Sequence, residues 1–187
     1  MNFLYIILGA IVVLLLWVVF LYNSIVSLRN RTKEGWSDID VQLKRRHDLI
    51  PNLLASVKGY MTHEKELLEN VTKYRTQAMD AQKSGNTNAL AGAEGLLGNA
   101  LGKLQIAVEA YPDLKANQNV AQLMDELSDT ENKIQASRRF YNGQVRDFNT
   151  KIEMFPNSLF AKILGFAKFD FFEIKDEKER ENIEVKF

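Results

Sequence analysis

From Phe3 to Tyr22 the chain is an unbroken apolar run of 20 residues, and no charged side chain occurs before Arg29. A helix of that length reaches ~30 Å, the thickness of a bilayer's hydrocarbon core. Beyond it the hydrophobic pattern becomes periodic. Trp36, Ile39, Leu43, Ile50, Leu53 or Leu54, Val57, Met61, Leu68, Val71 and Ala78 step by three or four residues. That spacing puts them on one face of a helical stretch from about Ser24 to Ser84, with charges on the other face. The part from Trp36 to Ser84 would be ~70 Å long if continuous. Pro51 lies inside it, lacks a backbone donor and crowds the preceding turn. We expect a kink there, or a break with Asp48 capping a new helix.

Lys83-Ser-Gly-Asn-Thr-Asn88 reads as a turn. A second helix follows on Leu90, Leu97, Leu101, Leu104, Val108 and Tyr111, and its first half carries Gly92, Gly95, Gly98 and Gly102. Each glycine costs ~1 kcal/mol against Ala, so this stretch should be loose or packed unusually close to a neighbour. It is no phosphate loop, since no strand precedes it and no Lys-Ser/Thr ends it. Tyr111-Pro-Asp-Leu-Lys115 closes that helix. The third runs from Asn119 to about Phe155 on a nearly 3.5-residue repeat, Val120, Leu123, Leu127, Ile134, Tyr141, Val145, Phe148, Ile152 and Phe155, until Pro156 stops it. This is bundle or coiled-coil seam geometry.

Asn157 to Ile174 is the second most hydrophobic part of the chain. It should form a short fourth helix closing the bundle. Its Phe160, Phe166, Phe169, Phe171 and Phe172 either fill the core or make an exposed contact patch for membrane or partner. The tail from Lys175 mixes charge signs and reads as a solvated helix end or a disordered segment. The predicted fold class is therefore all-α: an N-terminal transmembrane helix (1–28), an antiparallel bundle of about four helices with long first and third members (29–174), and a charged tail (175–187).

Composition narrows what such a protein does. With 24 basic and 24 acidic residues the net charge is zero, so no global field favours nucleic acid. Cysteine is absent, which excludes disulfides, thiolate metal sites and cysteine nucleophiles. The apolar run lacks the basic leader and small-residue cleavage site of a secretory signal, so it should stay attached as an anchor. Arg29, Arg31, Lys33, Lys44, Arg45 and Arg46 all follow it. That imbalance predicts the N-terminus outside and the bundle in the cytoplasm.

Candidate chemistry is sparse. Arg46 falls where the apolar stripe passes between Leu43 and Ile50, and a buried arginine is tolerable only when paired. Glu131 is the leading partner, because it too interrupts a seam; Arg138, Asn142 and Asn149 are further candidates for buried polar pairing. Such a pair would fix helix register. The alternative makes Lys44, Arg45, Arg46, Asp48, Pro51 and Asn52 a surface for a partner or anionic lipid. His63-Glu64 lacks the second His of a zinc-protease helix, since position 67 is Leu67. Lys44 and Tyr60 stand where a di-iron bundle would need glutamates before His47 and His63. No nucleophile–base pair is visible, and we expect no metal or cofactor.

Three blocks resemble the LemA family: YNSIVSLRNRTKEGWSDIDVQLKRRHDLIPNLLASVKGYMTHE at Tyr22–Glu64, YPDLKAN at Tyr111–Asn117, and RRFYNGQVRDFNTKIEMFP at Arg138–Pro156. The resemblance covers nearly the whole chain, with Gly35 and the glycine-rich second helix as local departures. It implies a membrane-anchored bundle of about four helices with no established enzymatic activity. A branch of the family belongs to the membrane-building set of magnetosome bacteria. The leading expectation is a non-enzymatic scaffold or self-assembling adaptor that contacts the lipid bilayer, further copies of itself and other membrane proteins. The second is a regulator or sensor of a membrane protease or envelope-stress system. The third, a carboxylate-metal enzyme, has the least support.

Overall fold

The structure is a computed structural model that describes residues 2–173; Ile174 and the expected tail at 175–187 lie outside the described residues. Those described form six helices and no strand: α1 (Asn2–Val57), α2 (Lys65–Ser84), α3 (Thr87–Glu109), α4 (Pro112–Ala116), α5 (Gln118–Glu153) and α6 (Asn157–Ile163). The chain is all-α, with one long apolar N-terminal helix followed by bundle-like helices.

α1 continues through Pro51, so the alternative of a new helix capped by Asp48 does not hold, and the chain breaks after Val57. Proline removes the N–H that would bond the carbonyl four residues back, which is His47. Arg75 on α2 replaces it, donating from Nε to that carbonyl at 2.7 Å. The helix ends because Gly59 and its neighbours turn the chain, with Tyr60 and Met61 both donating to the Val57 carbonyl at 3.0 Å. Buried Met61 then plugs the corner.

The later boundaries follow local chemistry. Gly85 adopts φ 69°, a left-handed conformation that a side chain disfavours, and ends α2. Asn86 caps α3 by accepting from the Ala89 N–H at 3.0 Å, so a two-residue connection folds α2 and α3 into an antiparallel hairpin. Pro112 forces Tyr111 into an extended conformation and opens the single turn α4. Asn117 Oδ1 accepts from Asn119 at 3.0 Å and starts α5.

The fourth helix is shorter than expected. Gly165 is left-handed at φ 69°; its N–H reaches the Lys162 carbonyl at 3.4 Å and the Phe166 N–H reaches Ala161 at 2.9 Å. That paired closure stops α6 at Ile163 and leaves Phe166 to Phe172 in irregular backbone.

The glycines also behave differently from expectation. A Cβ at Gly92 or Gly102 would meet nothing within 4 Å, and one at Gly98 would meet only Arg46 Nη2, at 4.0 Å. Close packing therefore does not explain them. Gly35 is the crowded position: a Cβ there would lie 3.2 Å from both Phe140 Cδ1 and the Tyr141 Cα on α5.

The chain divides into two compact units. The first joins the residues up to Ile39 to Ser137–Phe169. Its core is Ile25, Phe148, Ile152 and Ala161, with Leu28, Phe166 and Phe169 against it, and Trp36 and Tyr141 meet edge-on at 5.3 Å. The second holds Asp40–Ala136 with the residues from Asp170. Its core includes Ile50, Leu53, Val57, Val71, Leu97, Leu104, Leu114, Val120 and Leu127. Among the described residues, α1 alone is long and apolar enough to cross a membrane; only 6% of its apolar window is buried, so that window is not part of the core.

Candidate functional site

The second unit buries a cluster of charge. Arg46 and His47 are consecutive on α1, and both are turned inward, 2% and 3% exposed. Arg46 Nη1 donates to Glu94 Oε2 at 2.8 Å, and its Nη2 pairs with Glu131. His47 Nε2 lies 2.8 Å from the other Glu94 oxygen. An ionised carboxylate only accepts, so Nε2 carries the hydrogen. Glu94 belongs to α3 and Glu131 to α5, so one guanidinium holds three helices at a single level. Moving these charges out of water costs several kcal/mol per ion, about as much as their pairing returns. A slip of one residue between these helices would separate the partners.

Glu94 carries this cluster and is absent from the sequence expectations. A signal existed: Leu90, Glu94, Leu97 and Leu101 keep the spacing of one face, so Glu94 fills the gap in the apolar stripe of α3. The flanking Lys44, Arg45, Asp48, Pro51 and Asn52 are exposed on α1. Arg45 lies 3.8 Å from Asp129 across solvent-accessible surface. The hydrogen bond from Lys133 holds the Asp129 carboxyl below its usual range; partial desolvation opposes it, and the charges of Lys133 and then Arg45 add to the lowering.

A second polar link ties the α1–α2 corner to the α3–α4 joint. The Tyr111 hydroxyl donates to Glu64. That bond, then partial burial, then the carboxylate's charge push the phenol above its ordinary value. Beside the corner lies an open groove of about 790 Å³ lined by Leu54, Ala55, Met61 and Leu68 together with Lys58, Lys65, Lys73 and Glu69.

In the first unit, Asn149 acts as a clip. Its Nδ2 donates to the Phe169 carbonyl at 2.9 Å and its Oδ1 accepts from the Phe169 N–H at 3.0 Å. Both backbone groups of an irregular segment are thereby satisfied. Arg138 and Asn142 are half-buried on the same helix. Of the phenylalanines, Phe166 and Phe169 turn inward onto Phe148, with ring centroids 6.3 and 5.1 Å away, and Phe160 is half-buried against Trp17. Phe172 is buried, while Phe171 is 37% exposed.

Arg46 bridges the two carboxylates and opposes the charge that would draw a cation. Among the described residues there is no group of three or more His, Asp and Glu side chains placed to hold a metal.

Similarity to known proteins agrees with this architecture. The profile of the LemA family matches residues 35–187. Magnetosome protein MamQ 2 of Paramagnetospirillum magneticum is 27% identical over 177 residues, and magnetosome protein MamQ of Magnetospirillum gryphiswaldense is 26% identical over 177 residues. Each alignment covers 82% of this chain and 65% of the relative, so the chain spans just under two thirds of the magnetosome proteins' length. Protein LemA of Metamycoplasma hominis is 28% identical over 156 residues, covering 82% of this chain and 69% of that protein.

Proposed function

The chain belongs to the LemA family, and from that premise we propose that it is a membrane-anchored, non-enzymatic helical scaffold. It acts as a self-assembling adaptor at the bacterial inner membrane, in the organisation of that membrane. The observation that carries this reading is the continuity of α1: the exposed apolar segment and the bundle's first helix are one element with no linker between them. Arg29, Arg31 and Lys33 follow the apolar run and favour a cytoplasmic bundle. The relatives named as magnetosome proteins support a role in membrane organisation. Confinement to a membrane raises the local concentration, so weak lateral contacts between copies suffice for assembly.

The test is the size of the full-length protein excised from its native membrane in polymer-bounded lipid discs. Complexes containing several copies and no stoichiometric second protein are expected; single copies would refute self-assembly. The 790 Å³ groove near the α1–α2 corner favours a second reading, a regulatory subunit that docks another membrane protein through Leu54, Ala55 and Leu68. A specific integral membrane protein recovered in the discs, and lost in Leu54→Glu, would select that reading.

A further inference from the structure

The closing helix is amphipathic in the reverse sense for a protein surrounded by water. α6 buries Asn157 and Ala161 and turns outward Leu159, 57% exposed, and Ile163, 80% exposed. Leu159 and Ile163 are one helical turn apart and share a face. Met154, Phe155 and Leu164 beside them are exposed as well. A soluble surface rarely gathers large apolar side chains so densely, and such patches mark contact sites.

The same helix is held level with the apolar part of α1. Phe160 meets Trp17 edge-on with ring centroids 6.1 Å apart, and Phe166 lies 6.4 Å from Tyr22. Leu21 and Ile25 are buried. Trp17 lies five residues inside the end of the apolar run, about 7.5 Å along the helix axis. Were α6 wholly in water, the hydrocarbon would have to end before Trp17. Only Phe3–Leu16 would then remain, ~21 Å of helix to cross ~30 Å. The shortfall disappears if the bilayer surface reaches past α6.

We infer that α6 and its flanking turns are a second, non-spanning membrane contact. α6 lies in the boundary between headgroups and acyl chains, in the same leaflet as the C-terminal end of the span. Leu159, Ile163, Leu164, Met154 and Phe155 enter the acyl region. Exposed Lys162 snorkels outward, and Arg29, 5.8 Å from the centre of the Phe166 ring, sits among the headgroup phosphates. The occupant of the patch is lipid, because the patch is continuous with a helix that is itself lipid-facing. The inference rests on the membrane anchorage proposed above and deepens it: two contacts fix the tilt of the first unit against the membrane plane, which a single span leaves free.

The absence of cysteine makes the test direct. Ile163→Cys, Leu159→Cys, Val12→Cys and Gln135→Cys are each spin-labelled in the full-length chain. The proteins are reconstituted into vesicles of phosphatidylethanolamine and phosphatidylglycerol. Collision with oxygen, which dissolves in lipid, is compared with collision with a water-soluble nickel chelate. The oxygen-to-nickel ratio at 159 and 163 is expected several-fold above that at 135 and close to that at 12. A label at 12 in lipid with labels at 159 and 163 in water overturns the inference and leaves the anchorage intact. A label at 12 in water overturns both. Labels at 159 and 163 shielded from both reagents mean a protein contact, such as a second copy, and overturn the assignment to lipid. Both test positions are exposed, so each label reads out independently with the fold preserved.

Discussion

Replacing Glu94 by Ala tests whether the buried cluster holds the helices together. Arg46 is 2% exposed and Glu94 5% exposed, and Glu94 accepts from both Arg46 and His47. The substitution strips one buried guanidinium of its enclosed partner and leaves one buried imidazole N–H without an acceptor. Glu131 remains, but its side chain is 39% exposed, so its attraction is screened. Breaking a buried pair by removing one partner costs about 3–5 kcal/mol. For a chain of 187 residues this lowers Tm by roughly 6–20 °C, at 2–4 °C per kcal/mol. Thermal and urea unfolding of the full-length protein in mild detergent, followed by its helical circular dichroism, measures the loss. Adding Arg46→Met to Glu94→Leu should recover much of it, because no buried cation is then stranded. A Glu94→Ala variant that loses less than ~1 kcal/mol, or a double variant as unstable as the sum of its parts, would refute the reasoning.

The bond from Arg75 to the His47 carbonyl predicts coupling with Pro51. Arg75→Gln should cost about 1–3 kcal/mol in wild type and little in Pro51→Ala, where residue 51 supplies its own N–H; additive losses in urea melts would disprove the substitution of one donor for the other. Gly35→Ala should destabilise by about 1–2 kcal/mol, overpacking against the Tyr141 backbone outweighing ~1 kcal/mol of helix propensity, whereas Gly92→Ala should stabilise by up to ~1 kcal/mol. Equal signs for the two in the same melts would contradict the packing. The raised Tyr111 value means the folded state holds that proton more tightly than the unfolded state. Its contribution is full below the ordinary phenol value of 10.0 and is lost as pH rises through the folded value. Tyr111→Phe should therefore lose less stability than wild type between neutral and strongly alkaline pH, and parallel curves would count against the bond to Glu64.

Much of the architecture was legible along the chain because it depends on local pattern. The apolar run has the length of a bilayer, the stripes have helical period, and Pro112 and Pro156 each stop a helix wherever they occur. Readings that depended on a neighbour were less secure. Pro51 has the local character of a helix breaker, yet α1 continues to Val57, with Arg75 bonding the His47 carbonyl that Pro51 leaves without a donor. Gly35 looked incidental and the glycines of α3 looked meaningful; the distance to Tyr141 reverses that order.

The candidate site divides the same way. By itself the sequence determined that Arg46 interrupts an apolar face and would need a partner, because amphipathic spacing is a property of one helix. Tertiary structure decided that Glu94 stands opposite it, because the level at which α3 meets α1 is set by both helices and the turns between them. It also decided the fate of the hydrophobic closing segment. Composition showed only that Asn157–Phe172 is apolar. The left-handed Gly165 and the Asn149 clip turn Phe166 and Phe169 inward and leave Leu159 and Ile163 outside. A hydrophobic residue carries no record of which side of its backbone will be covered; that depends on which surfaces the rest of the chain brings alongside.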